Sequence, residues 1–208
     1  MILSRPLAVV TPTLEADVLR VLALADTSFT PGEIHRLTPS TSISGLRRAL
    51  NRLAEQGIVH AERTPVAVLY SLNRRHLAAD PIIALARLPE TLLDRLRDQF
   101  ASWSTPTEFA AVFGSAARGD MRADSDLDLF VVRPSGLDPE DSGWRAQLDT
   151  LAAEVTAWTG NDARILEYGE DEVTGRSPVL EAIRAEGLVV SGSLNWLQRR
   201  LTRVRVRR

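Results

Sequence analysis

Apolar residues near the start recur at helical spacing. Leu14, Val18, Val21, Leu22 and Ala25 follow Thr11-Pro12-Thr13, so a first helix is expected there with Thr13 as its cap. Thr30-Pro31-Gly32 starts a short second helix running to Leu37, and Thr38-Pro39-Ser40 breaks the pattern. A third helix, capped by Thr41 or Ser42, reaches about Gln56 with Ile43, Leu46, Leu50 and Leu53 as its buried stripe. Ser44, Arg47, Arg48, Asn51 and Arg52 then face outward, and Gly57 ends the helix. Two strand-like pieces follow, 58–62 and 66–72, joined at Arg63-Thr64-Pro65.

The pattern turns helical again at Asp80-Pro81, read as a cap and a first-turn proline. Ile82, Ile83, Leu85 and Leu88 belong to that helix. Pro89-Glu90 opens another, with Leu92, Leu93, Leu96 and Phe100 on one side, and 102–106 closes this connector. Beyond the polar loop 134–143, Trp144, Leu148, Leu151, Val155 and Trp158 recur along a helix over 141–159. A strand is expected over 163–168, a helix over 178–186 ended by Gly187, and a short strand over 188–190.

Between these lie two apolar runs of strand type, Phe109 to Phe113 and Leu127 to Val132. Gly114-Ser115 leaves the first, and Asp126-x-Asp128 opens the second. Residues i and i+2 of a strand point to one face, so the two aspartates project side by side. Two such carboxylates repel unless a cation lies between them. An oxygen-rich site without His or Cys suits Mg²⁺, which is held by one or two carboxylates plus substrate phosphates. Mn²⁺ is the alternative cation. A glycine leaving a strand lets backbone approach a ligand, and N–H groups opening a helix bind phosphate.

Gly114-Ser115, ten residues, then Asp126-x-Asp128 and an apolar run resembles the signature of the DNA polymerase β-type nucleotidyltransferase superfamily. The branch it looks most like is the minimal nucleotidyltransferases, whose antitoxin members pair with HEPN-type proteins. The resemblance covers about 105–192. It implies transfer of an NMP from an NTP, ATP foremost, to a hydroxyl acceptor, which in antitoxin-like members lies on a partner protein. It also implies a third carboxylate on a neighbouring strand. Glu167, in Leu166-Glu167-Tyr168, fits that apolar–acid–apolar pattern, with Asp162 in reserve. The implied metal and catalytic set is therefore Asp126, Asp128 and Glu167, with Gly114 and Ser115 at the phosphates. Arg118 and Arg122 either neutralise phosphate or pair with Asp120 and Asp124. Glu167 separates two outcomes: beside the aspartates it favours an enzyme, turned away it favours a regulator that binds NTP without turnover. An aminoglycoside-type transferase is a further alternative, although the larger substrate domain usual there is not evident.

Three short helices and a hairpin are the order of a winged helix-turn-helix, and Leu50-x-x-Leu53-x-x-x-Gly57-Ile58-Val59 resembles the end of its recognition helix and first wing strand. That resemblance implies contact of Ser44, Arg47, Arg48, Asn51 and Arg52 with duplex DNA, arginines at phosphate or guanine and Asn51 at adenine. Such modules also dock proteins and form dimers, so a homodimer is an open alternative. The expected fold is thus α+β: a winged helix-turn-helix over 1–79, a helical connector over 80–104, a mixed sheet with flanking helices over 105–192, and an Arg-rich tail over 193–208.

Charge sharpens this division. Net charge is −2, yet 1–79 carries +3, 80–192 carries −11 and 193–208 carries +6, with no lysine anywhere. Segments of opposite sign point to different partners. The tail is read either as an edge strand, from arginines at period two, or as a solvated terminus. Cysteine is absent, which excludes disulfides and thiolate metal sites. His35, His60 and His76 are not at ligand spacing. No apolar run approaches the ~20 residues of a membrane span, and the N-terminus lacks a signal-peptide pattern. Cytoplasmic residence is expected.

Overall fold

The computed structural model describes residues 1–39, 41–175 and 177–203, which divide into two units. The N-terminal unit takes Ile2 and Ser4–Pro89. The C-terminal unit takes Met1, Leu3 and the residues from Glu90 onward.

In the N-terminal unit, α1 (Leu14–Ala23), α2 (Pro31–Leu37) and α3 (Ile43–Glu55) precede an antiparallel hairpin of β1 (Val59–Arg63) and β2 (Val68–Leu72). Local chemistry sets the helix starts. The Thr30 hydroxyl accepts from the Glu33 N–H while the Glu33 carboxylate accepts from the Thr30 N–H at 2.7 Å. The Ser42 hydroxyl accepts from the Gly45 N–H at 3.1 Å, so Ser42 caps α3. Thr13 precedes α1 without a side-chain cap bond. Leu22, Ile34, Leu46 and Leu50 are fully buried in one core, joined by Val59 and Tyr70 of the hairpin. Phe29 bridges to Tyr70, adding a third backbone segment beside β2. Ile43 is a correction: at the first position of α3 it is exposed, because the buried stripe starts one turn later at Leu46.

The expected connector does not form a piece of its own. α4 (Ala79–Ala86) buries Ala79 and Ala86 in the core of the N-terminal unit. It starts before Asp80, which therefore lies in its first turn and is not its cap. Pro81 is tolerated there because first-turn N–H groups need no intrahelical partner. α5 (Leu88–Ala101) buries Leu92, Leu96 and Phe100 in the core of the C-terminal unit.

The C-terminal unit is built on β3 (Phe109–Phe113), β4 (Leu127–Arg133), β5 (Ala163–Gly169) and β6 (Leu188–Ser191), in the order β5-β4-β3-β6. β4 runs antiparallel to β3 and parallel to β5, so the sheet is mixed. Both faces are covered, which explains the near-continuous apolar runs. Leu127, Leu129 and Val131 pack with α5 and with Trp144, Leu148 and Leu151 of α7 (Ser142–Thr159). Phe109, Phe130 and Val132 pack with Leu180 and Ile183 of α8 (Pro178–Glu186) and with Leu197 of α9 (Leu194–Arg203). α6 (Gly114–Arg118) links β3 toward β4. The α+β class and the mixed sheet with flanking helices are as the sequence implied.

The start of the Arg-rich tail forms an element that the pattern did not predict. Leu194–Arg203 is helical, and its apolar Leu197 is fully buried against the sheet. The period-two arginines beyond it lie outside the described residues. Among the described residues no helix is long and apolar enough to cross a membrane.

Candidate functional site

β4 sets the site by its alternation. Phe130 and Val132 face the α8 and α9 side, so Asp128 belongs to that face, and Asp126 stands two residues before it. Phe113, the last residue of β3, is in register with Asp128. Gly114 therefore passes directly beside the Asp128 carboxylate. Its φ is +68°, and a Cβ there would lie 2.3 Å from Asp128 Oδ2. A side chain there would have to displace the Asp128 carboxylate, and the backbone conformation favours glycine independently. Ser115 is half-buried in α6, which ends at Gly119 in the left-handed region with φ 78°.

The loop leading to Asp126 is pinned from below. Asn161 is only 3% exposed, and its amide nitrogen donates to the carbonyls of Ala123 at 3.2 Å and Ser125 at 2.9 Å. Its side-chain oxygen accepts from the Met1 ammonium. The Leu127 N–H donates to the Asp162 carbonyl at 2.8 Å, closing the base of the loop. In the sequence Asn161 merely follows Gly160. Nothing in its neighbours signals that its side chain reaches across to this loop.

Electrostatics at the pair are uneven. Burial is the main reason the Asp128 carboxyl lies above its ordinary range. Arg164 lowers it, Asp126 raises it and Arg118 lowers it. Among the described residues the Asp128 carboxylate has no hydrogen bond of its own. Asp126 pairs with Arg164, Oδ2 to Nε at 2.8 Å. Arg118 is divided between Asp120 at 3.4 Å and Glu186 at 3.9 Å. Arg122 is exposed, and its backbone N–H donates to the Ser125 hydroxyl at 3.0 Å.

Glu167 is the main correction. It is in register with Val131 and faces the α7 side, opposite to Asp126 and Asp128. Its carboxylate accepts from Trp144 Nε1 at 2.9 Å, from Arg145 at 3.2 Å and from Arg133. Arg133 and Glu167 are nearly enclosed, with side chains 13% and 15% exposed. Three donors hold this acid as a structural anchor between β4, β5 and α7. The apolar–acid–apolar pattern identified the strand and missed the face. Asp162 is exposed at the start of β5 and does not complete a set, and no group of three or more His, Asp or Glu side chains suited to a metal exists among the described residues. What stands next to Asp128 on its own face is Arg164, its register partner on β5.

Asp126, Asp128 and the side-chain-free Gly114 therefore lie together at the start of β4, with the Gly114 backbone close against the Asp128 carboxylate. That donor set fits a single Mg²⁺ shared with substrate phosphates. It does not fit a pair of metals held by three acids.

Residues 91–174 match the model of the nucleotidyltransferase domain family. No curated protein matches the chain. Among solved structures, the chain is similar to a toxin–antitoxin complex solved with AMP-PNP, at 16% identity and a TM-score of 0.37, over 55% of this chain and 82% of that one. It is also similar to a mutant of the MntA-HpeT toxin–antitoxin, at 13% identity and a TM-score of 0.38, over 54% of this chain and 86% of that one. Both likenesses are weak.

Proposed function

We propose that the C-terminal unit is a magnesium-dependent nucleotidyltransferase that moves an NMP from an NTP, ATP foremost, to a hydroxyl on a partner protein. The observation that carries this is the Gly114–Asp128 approach within a segment matching the nucleotidyltransferase domain. Mg²⁺, once bound by Asp126 and Asp128, would polarise the phosphate oxygens of the nucleotide. The chain's own residues do the rest. Gly114 lets the backbone close on the Asp128 carboxylate, and Ser115 offers a hydroxyl at the same turn. Arg118, at the end of α6, and Arg122, on the loop that follows, can offset phosphate charge. Asn161 holds that loop in place. The N-terminal unit, read as a winged helix-turn-helix, presents Ser44, Arg47, Arg48, Asn51 and Arg52 to duplex DNA and would allow autoregulation.

One observation favours a second reading. Glu167 is turned away and Arg164 takes the position beside Asp128. A site with two acids and a cation of its own can bind NTP without turning it over, which would make the chain a nucleotide-responsive DNA-binding regulator.

Incubation with ATP, GTP, CTP and UTP labelled at the α-phosphate, with Mg²⁺ and the product of the neighbouring gene, separates the two. Transfer predicts label on the acceptor that needs Mg²⁺ and vanishes when Asp126 and Asp128 are both replaced by Asn. Nucleotide binding without label on any acceptor, together with NTP-dependent DNA affinity, establishes the regulator. Label that persists in the double variant removes the site assignment altogether.

A further inference from the structure

Arg164 sits where a cation and a polyanion would compete for it. It is the register partner of Asp128 across the parallel β4–β5 pair, so both side chains leave the same face of the sheet. From there it leans two residues back along β4 to pair with Asp126 through Nε. The guanidinium is thus paired with Asp126 and within electrostatic reach of Asp128. Its side chain is 75% exposed, and no acid other than these two engages it among the described residues. Arg118 differs, being held by Asp120 and Glu186.

We propose that Arg164 is a phosphate ligand of the nucleotide site, paired with Asp126 while the site is empty and transferred to the nucleotide's phosphates when a metal–nucleotide binds. This rests on the reading of Asp126 and Asp128 as a Mg–NTP site. The exchange follows from charge. A divalent ion held by Asp126 and Asp128 would supply the compensation that Arg164 now provides to Asp126. The same ion brings triphosphate oxygens, and a guanidinium offers them several N–H donors in a fixed planar fork. Arg164 therefore opposes a bare metal ion and assists a metal–nucleotide. Opposite signs for the two ligands mark this role, because a surface ion pair without function would move neither.

The test uses the full chain and Arg164→Ala, with Arg164→Lys as the charge-preserving control and thermal melting to confirm folding. Mn²⁺ alone is titrated by electron paramagnetic resonance. Mn²⁺ with α,β-methylene-ATP, which cannot release pyrophosphate, is titrated by calorimetry. Since one exposed charge contact is worth little, shifts of about three- to fivefold are expected. Arg164→Ala should bind Mn²⁺ more tightly and the metal–nucleotide more weakly, with Arg164→Lys recovering much of the nucleotide affinity. Tighter binding of both ligands would make Arg164 only a competitor of the cation and overturn the proposal. No change in either, with normal binding by the native chain, would also overturn it and leave the site intact. If the native chain binds no nucleotide, or binds it equally after Asp128→Asn, the site reading falls and this inference with it.

Discussion

At the scale of single residues, Asp128 shows how a site can weaken the fold that carries it. Burial is the largest cause of its raised pKa, and no hydrogen bond compensates the carboxylate among the described residues. A carboxyl that holds its proton more tightly folded than unfolded costs stability as pH rises from its ordinary range through the raised folded value. Below that window the cost is absent, and above it the cost is complete. Asp128→Asn should therefore melt higher than the native chain at about pH 7, with the gap closing toward about pH 3, below the ordinary Asp range. Melting curves at the two values check this, and a native chain that melts higher at neutral pH would contradict it. Residue-level legibility was mixed. Gly114, Asp126 and Asp128 were readable because a Gly-Ser turn and an acid pair each interrupt an apolar strand. Glu167 was misplaced because both faces of β5 meet helices, so apolar neighbours do not reveal which way the acid points. Parity against Asp128 decides it, and that needs the β4–β5 register, which no local pattern contains.

At the scale of elements, the strands and most helices were legible because their periods are clean and their ends carry caps. α8 starts at Pro178 and stops at Glu186 before Gly187, as the proline and glycine signals indicate. α9 was missed. Leu194, Leu197 and Leu201 do stand at helical spacing, but the arginines alternating with apolar residues at the end of the chain drew the reading toward a strand. Yet Leu197 is fully buried among Phe109, Leu180 and Ile183, and Trp196 stacks on Phe109 with ring centroids 5.8 Å apart. α9 is thus part of the core on the site-bearing face of the sheet. Leu197→Ala should destabilise the C-terminal unit by about 2–5 kcal/mol, the usual cost of emptying a buried leucine site. Urea unfolding of the full chain measures this. A loss below about 0.5 kcal/mol, the level of an ordinary surface substitution, would show that α9 does not dock as described.

At the scale of the whole chain, charge and burial divide the molecule consistently. The N-terminal unit has its own core around Leu22, Ile34, Leu46 and Leu50, while the two aspartates lie in the C-terminal unit, whose sheet carries apolar clusters on both faces. Charge changes sign along the sequence near this division, +3 over 1–79 against −11 over 80–192, although α4 stays with the N-terminal unit. It could not show which arginines of α3 are available. Arg52 pairs with Glu15 of α1, and Asn51 accepts from the Tyr70 hydroxyl at 3.5 Å. Arg47 and Arg48 are exposed and have no ion pair among the described residues. If α3 meets duplex DNA, Arg47 and Arg48 should carry most of its phosphate contact, and Arg52 less, because its charge is already compensated. Replacing Arg47 and Arg48 together by Ala in the full chain should weaken binding and reduce the slope of log affinity against log salt by about 1.8, from ~0.9 per lost phosphate contact. Arg52→Ala should change the slope by less than either single replacement. Fluorescence anisotropy with labelled duplex over a range of salt concentrations gives all of these slopes. Equal slopes for the native chain and the Arg47/Arg48 double variant would assign α3 to protein docking, and the DNA role would then have to be abandoned for this face.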